Sequence, residues 1–328
     1  NGPVMKWNFN LSQIDFEHFL SQYHCGPLLG SGGFGSVFSG QRLSDGLHLQ
    51  LWCSDEINHV PMQIAPLQLL SEDGGHPGVI HMLDWFEVEG RGFLLVMERP
   101  LHCQDLLDLI TERGALSESL SLRIFHQVVE ALLFIHSRGI VHMDIKDENI
   151  VVNTMTMDIK IVDFGYGALL KDGMYSEFQA PPEWIASKPY KAVPLTVWSL
   201  GVLLFTMVCG YIPFKNDDEI YKACPRFTRP VSTGCQSLIH WCLSFQPEDR
   251  PILKEILSHS WMKEEEEEEG RPAGGARLPS LTVPAKYQDS GLFRTLDLQI
   301  GRGPYLLSVK PGGTLSWKLF FYMRLHIY

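Results

Sequence analysis

Four residues in the middle of the chain have the types and spacing to move a phosphoryl group. Asp144, Lys146 and Asn149 stand at D-x-K-x-x-N spacing, and Asp163 opens Asp163-Phe164-Gly165. A carboxylate such as Asp144 can accept the proton of an attacking hydroxyl, and an ammonium such as Lys146 can neutralise charge on the moving γ-phosphate. Asn149 and Asp163 offer the hard oxygens that Mg²⁺ takes. A lone Asp or Asn on a loop is usually a turn residue or a cap. The full set, in this order behind a glycine-rich turn, favours chemistry over that reading.

These residues need elements to hold them. Gly30-Ser31-Gly32-Gly33-Phe34-Gly35-Ser36-Val37 fits G-x-G-x-x-G-x-V. Dinucleotide folds place such glycines between a strand and a helix. Here strand-like residues lie on both sides, Gly26–Gly30 and Ser36–Gly40, which predicts a hairpin. Glycines let backbone lie against nucleotide phosphates without a Cβ between them, and Val37 would cap the base. Val79–Leu83 and Gly92–Met97 read as further strands. Leu120, Ile124, Val128, Leu132 and Ile135 predict a helix over 116–138. Val197–Val208 is apolar nearly all round, as in a helix buried within a lobe. The fold class expected is α+β, a β-rich N-lobe before a larger α-helical C-lobe.

The chain has 328 residues, 45% hydrophobic and 20% charged, as in a globular protein. No apolar run reaches transmembrane length, and residues 1–10 lack a basic segment followed by an apolar core. Seven scattered cysteines without a CxxC pair read as free thiols of a reducing compartment, cytoplasm or nucleus, rather than a zinc site. The net charge is −11, and it lies wholly on residues 1–263, because the rest carries eight basic and eight acidic residues. An acidic body argues against nucleic acid and suits a basic partner. Glu264–Glu269 reads as a solvated run, and 270–328, rich in Gly, Pro and Arg, as a loosely attached tail. Residues 1–22 read as a leader.

Together the glycine hairpin, the Asp144 set and Asp163-Phe164-Gly165 are the signature of a protein kinase. Pro182-Glu183-Trp184 and Asp249-Arg250-Pro251 match the positions of a buried Glu–Arg pair bracing the C-lobe. Leu28–Val37, Glu98-Arg99-Pro100, Ile110–Leu116, Asp144–Ile150, Gly167–Asp172 and Val197–Gly201 then resemble the PIM serine/threonine kinases. That resemblance implies a kinase domain over 23–262, with N-lobe 23–97, hinge 98–101 and C-lobe 102–262. It implies ATP and Mg²⁺ as cofactors, and a monomer, without membrane or nucleic acid, acting on basic, Arg-rich peptides. By the same likeness Leu29, Gly30, Gly32, Gly33, Gly35, Val37 and Glu98 line the nucleotide. Asp105, Asp108, Asp147 and Glu148 match the substrate surface. Pro100 in the hinge has no N–H for adenine.

The departures are concentrated in the N-lobe. The third strand should end in V-A-I-K but reads Leu49-Gln50-Leu51-Trp52, and no Lys or Arg occurs between Arg42 and Arg91. The partner glutamate of the following helix is Gln63, and Pro66 falls inside that expected helix, at an interior cost of about 3 kcal/mol. Gln63 avoids burying an orphan charge. After Phe178 the activation segment is short, and Met143 replaces the arginine of His-Arg-Asp, so control by loop phosphorylation is not expected. The reading is a kinase of reduced rate. The alternative is a pseudokinase that acts through its surface.

Overall fold

The computed structural model describes residues 16–32, 35–54, 64–88, 92–170, 181–183 and 191–263. The sequence readings for Gly33, Gln63, the segment after Phe178 and the tail beyond Lys263 lie outside them.

Five antiparallel strands form the first half: β1 (Tyr23–Gly32), β2 (Gly35–Arg42), β3 (His48–Ser54), β4 (Met82–Val88) and β5 (Gly92–Glu98), in the order β1-β2-β3-β5-β4. Side chains alternate across the sheet. Leu49, Leu51, Leu94 and Val96 fill one face together with Phe86, and Leu95 and Met97 join the main core on the other. The strand expected from Val79 starts only at Met82. Val79 instead makes an isolated parallel bridge to Ile161, so it fastens the sheet to the second half.

Two further expectations change. Part of the leader is ordered structure: α1 (Phe16–Gln22) lays Phe19, 1% exposed, on the outer face of the sheet, 5.3 Å from the Phe86 ring and 5.5 Å from Tyr23. A lone aromatic gives no helical period, so the sequence does not announce a helix within the leader. Pro66 is also not interior. Helix α2 (Ile64–Ser71) begins two residues before it, so the proline sits in the first turn, where no backbone N–H is needed.

The second half is helical, with two small sheets. Helix α3 (Leu106–Arg113) starts at the Asp105 cap and ends at Gly114 in the left-handed region, φ 72°. Helix α4 (Glu118–Ser137) is capped by Ser117, and Glu118 accepts from the Ser232 N–H and hydroxyl and from Trp261 Nε1, tying the helix start to the end of the domain. Strands β6 (Cys103–Asp105), β8 (Ile150–Asn153) and β9 (Ile159–Ile161) make one small sheet. Strands β7 (Ile140–Val141) and β10 (Ala168–Leu169) make the other. The apolar helix α5 (Ala192–Cys209) has an 18-residue window that is 78% buried, as expected of a core helix. Helices α6 (Asp217–Lys222), α7 (Thr233–Cys242) and α8 (Leu253–Ser258) complete the lobe.

Gly201 is the point where α5 meets the end of α7. A Cβ there would lie 2.8 Å from Leu243 Cγ and 2.9 Å from Cys242 Cβ. Gly201→Ala would gain about 1 kcal/mol of helix propensity but overpack the contact by about 1–3 kcal/mol. A lowered urea midpoint is expected. A raised one would show that the crossing gives way without strain.

Candidate active site

Topology gathers the motif residues. Because β7 pairs with β10, the segment after Val141 lies beside the segment before Ala168. The β8–β9 hairpin closes the arrangement, with the Val162 N–H donating to the Asn149 carbonyl at 3.0 Å. Asn149 is thereby bonded to the residue before Asp163, at the base of that hairpin.

His142 is the pin of the segment after Val141. It is fully buried, its Nε2–H donates to the Val162 carbonyl at 2.9 Å, and its Nδ1 accepts from the Asp144 N–H at 3.3 Å. Burial lowers its pKa, so it is the neutral tautomer that both bonds require. Its ring meets Phe164 edge-on at 4.7 Å. The residues beside this pin, Met143 and Asp163, have φ of 70° and 62°, left-handed values that non-glycine residues adopt at a cost of about 1–3 kcal/mol. Packing holds them there. Met143 is buried with Val141, Ala192 and Leu195, and Asp163 Oδ1 accepts from the Gly165 N–H at 3.1 Å.

Asp144 is 4% exposed. One oxygen, Oδ2, accepts from Asn149 Nδ2 at 2.9 Å and from Lys146 Nζ at 3.0 Å. The other, Oδ1, is buried with no hydrogen-bond partner among the described residues. Burial pushes the Lys146 ammonium down, but Asp144 and Glu148 outweigh it and hold it above the ordinary lysine value. The site therefore presents a fixed carboxylate with one acceptor free beside a permanent cation.

The metal donor set fits. Mg²⁺ needs one or two protein oxygens when phosphates and water supply the rest. Asn149 spends Nδ2 on Asp144, at its carbonyl (2.7 Å) and its carboxylate, which leaves the amide oxygen as its donor atom. The Asp163 side chain is exposed.

On the sheet side, Gly30 pairs with Val37 and Gly32 with Gly35, which is the expected hairpin. Gly35 has φ 147°, and a Cβ there would strike the Cys53 carbonyl, so only glycine fits. Leu29 and Gly30 are half-buried in the same hairpin. Val37 pairs with Trp52, and Trp52 with Leu95. Glu98 ends β5, and its carboxylate accepts from Lys160 Nζ at 2.7 Å and from the His81 N–H at 2.8 Å. Lys160 also reaches the Pro77 carbonyl at 3.0 Å. This brace between β9 and the hinge had no signal in the sequence, because its members are far apart and individually ordinary.

Four acidic residues converge around the start of α3. Asp105 caps the helix by accepting from the Asp108 N–H at 2.7 Å. Burial raises its carboxyl to about 6; that N–H pulls the other way, while Asp108, Asp147 and Glu148 add to the rise. Glu148 also lies 3.3 Å from Lys146. Asp105 therefore has a structural task that its sequence position did not show. A value above the ordinary 3.8 means that protonation favours the fold: the charge costs stability at neutral pH, and the cost is relieved as pH falls through about 6. Asn caps as well as Asp and carries no charge. Asp105→Asn is expected to be more stable than the wild type at about pH 7, with the gap closing by about pH 4. Urea midpoints check this, and a gap that widens on acidification would contradict it.

Beneath the site, Arg250 and Glu183 form the expected bidentate pair at 2.6 and 2.8 Å, with the guanidinium fully buried.

A glycine hairpin over a sheet, a helical lobe and this loop define a protein kinase, and residues 23–262 match the protein kinase domain family. Over 275 residues the chain is 55% identical to the zebrafish serine/threonine-protein kinase pim-2, covering 77% of this chain and 89% of that one. It is 36% identical over 274 residues to the Caenorhabditis elegans serine/threonine-protein kinase prk-2, of which it spans 61%. The serine/threonine-protein kinase PSK1 of Saccharomyces cerevisiae is 34% identical over 223 residues, 16% of its length. The chain belongs to the PIM family of serine/threonine kinases. Kinases of this kind use ATP and Mg²⁺ and act on proteins.

Proposed function

We propose that this chain transfers the γ-phosphoryl group of ATP to a serine or threonine hydroxyl in a basic, Arg-rich peptide, more slowly than a kinase with a lysine on β3. The observation that carries this is the free, buried Oδ1 of Asp144. Asn149 and Lys146 fix the opposite oxygen, which leaves Oδ1 as the carboxylate oxygen with capacity to accept from a substrate hydroxyl. It accepts the hydroxyl proton as the oxygen attacks, which is worth about 10²–10⁴ in rate. Lys146 balances charge on the phosphoryl oxygens. Asn149 and Asp163 would hold Mg²⁺, which when bound neutralises phosphate charge. Asp108, Asp147 and Glu148 supply the negative field for arginines of the peptide. Glu98, with amide and carboxylate already used, would meet adenine through its carbonyl, and Leu29 and Val37 would cover the base.

The reduction in rate follows from Trp52. One preorganised electrostatic donor is worth about 10²–10³ in rate, and β3, β4 and β5 carry no Lys or Arg. Single-turnover transfer of γ-phosphate to an Arg-rich peptide, with Asp144→Asn as control, tests the reading. Transfer that vanishes in the control supports it. No transfer above the control would leave a surface-acting pseudokinase.

A further inference from the structure

Trp52 does more than remove a charge. In β3 the side chains of Leu49 and Leu51 fill the outer face of the sheet, and Cys53 packs against the same outer cluster. Trp52 takes the opposite face by alternation and packs against the main core, where Leu95 is its cross-strand partner. Its indole extends under the glycine hairpin: a Cβ built on Gly35 would lie 3.1 Å from Trp52 Cζ2. Gly35 is itself buried and registered against both Gly32 and Ser54, so the β2 arm of the hairpin meets the indole edge at Gly35. In a kinase the space under this hairpin is where the phosphates run.

We propose that Trp52 is a specificity-determining residue that makes the cleft select by base and sugar rather than by phosphate, so that adenosine is held at least as tightly as ATP. This rests on the proposed nucleotide cleft. Phosphate oxygens brought against an indole lose water and gain no charge-assisted partner, and a charge is buried favourably only when paired. β3, α2 and β4 carry no cation that could substitute, because the chain has no Lys or Arg between Arg42 and Arg91. Arg42 is held by Asp45 at 2.6 Å, and Lys146 is shared by Asp144 and Glu148. Adenosine carries no charge and loses none of these interactions. In the absence of Mg²⁺ and with Lys146 already paired, each phosphate added to the nucleoside therefore adds desolvation against the sheet with no cation of β3 to offset it.

The test is calorimetric titration of the full chain with adenosine, ADP and ATP in EDTA, for the wild type, Trp52→Lys and Trp52→Phe. The wild type is expected to bind ATP no more tightly than adenosine. Trp52→Lys should raise the ATP-to-adenosine affinity ratio by about tenfold or more, the worth of one charge-assisted hydrogen bond. Trp52→Phe should keep the wild-type order. The ratio is taken within each protein, so a loss of folded fraction cancels, and the wild-type order alone decides if Trp52→Lys does not fold. ATP binding tenfold tighter than adenosine in the wild type, or an unchanged ratio in Trp52→Lys, overturns the inference while leaving the kinase reading intact. Absence of binding by all three ligands to all three proteins overturns both.

Discussion

Asp144→Asn is expected to lower single-turnover phosphoryl transfer by about 10³-fold, in the middle of the range for a lost general base. The reason is the asymmetry of the carboxylate. Oδ2 accepts from Asn149 Nδ2 and Lys146 Nζ, both donors only. The new amide must turn its oxygen to them, which places its NH₂ where Oδ1 now stands. The one carboxylate oxygen without a partner, which is the acceptor proposed for the substrate hydroxyl, becomes a donor. Stability should move little: the variant still accepts both bonds, loses the attraction to Lys146, and also loses a charge that is 4% exposed. Rate and thermal midpoint measured together separate the two effects. A rate within tenfold of the wild type with the midpoint intact would remove Asp144 from the chemistry.

Spacing singles out the groups proposed for this site because each chemical role needs a residue type at a fixed position in the chain. The structure joins Asp144, Lys146 and Asn149 by hydrogen bonds, forms the glycine hairpin within the sheet and closes the Glu183–Arg250 pair, as that pattern implied. Spacing could not say what else a residue is bonded to. Asp105 matches a substrate-facing position yet caps α3, and only the fold shows that burial and three acidic neighbours raise its carboxyl. Met143 reads as a lost arginine, but the side chain fills a small apolar cluster with Ala192 and Leu195, which supports a left-handed backbone beside the base. Pro66 reads as a break. Its effect depends on where α2 begins, and that is fixed by burial of Ile64 and Leu67 in the core, not by local propensity. Phe19 gives no periodic signal because a single buried ring suffices to anchor α1.

The largest stability effect is expected at Arg250 and Glu183. Every N–H of the guanidinium has an acceptor: Nε the Ser244 carbonyl, Nη1 Glu183 Oε1 and the Pro194 carbonyl, Nη2 Glu183 Oε2 and the Phe245 carbonyl. The group also lies 4.9 Å from the Trp198 ring. Its charge is thus fully desolvated and depends on one carboxylate. Glu183→Gln leaves the cation buried and unbalanced, which costs about 3–5 kcal/mol. For a domain of this size that is a fall of roughly 6–20 °C in thermal midpoint. Arg250→Lys should not rescue the fold, since a point charge with three donors cannot reproduce a planar fork with five. Arg250→Met combined with Glu183→Gln removes both charges and should cost less than the sum of the single changes. The consequence reaches the site, because Pro194 opens α5, whose Ala192 and Leu195 pack on Met143 next to the base. Loss of the pair is therefore expected to lower transfer below the melting transition as well. A midpoint within about 2 °C of the wild type for Glu183→Gln would mean that water reaches the guanidinium and that the pair is not a buried one.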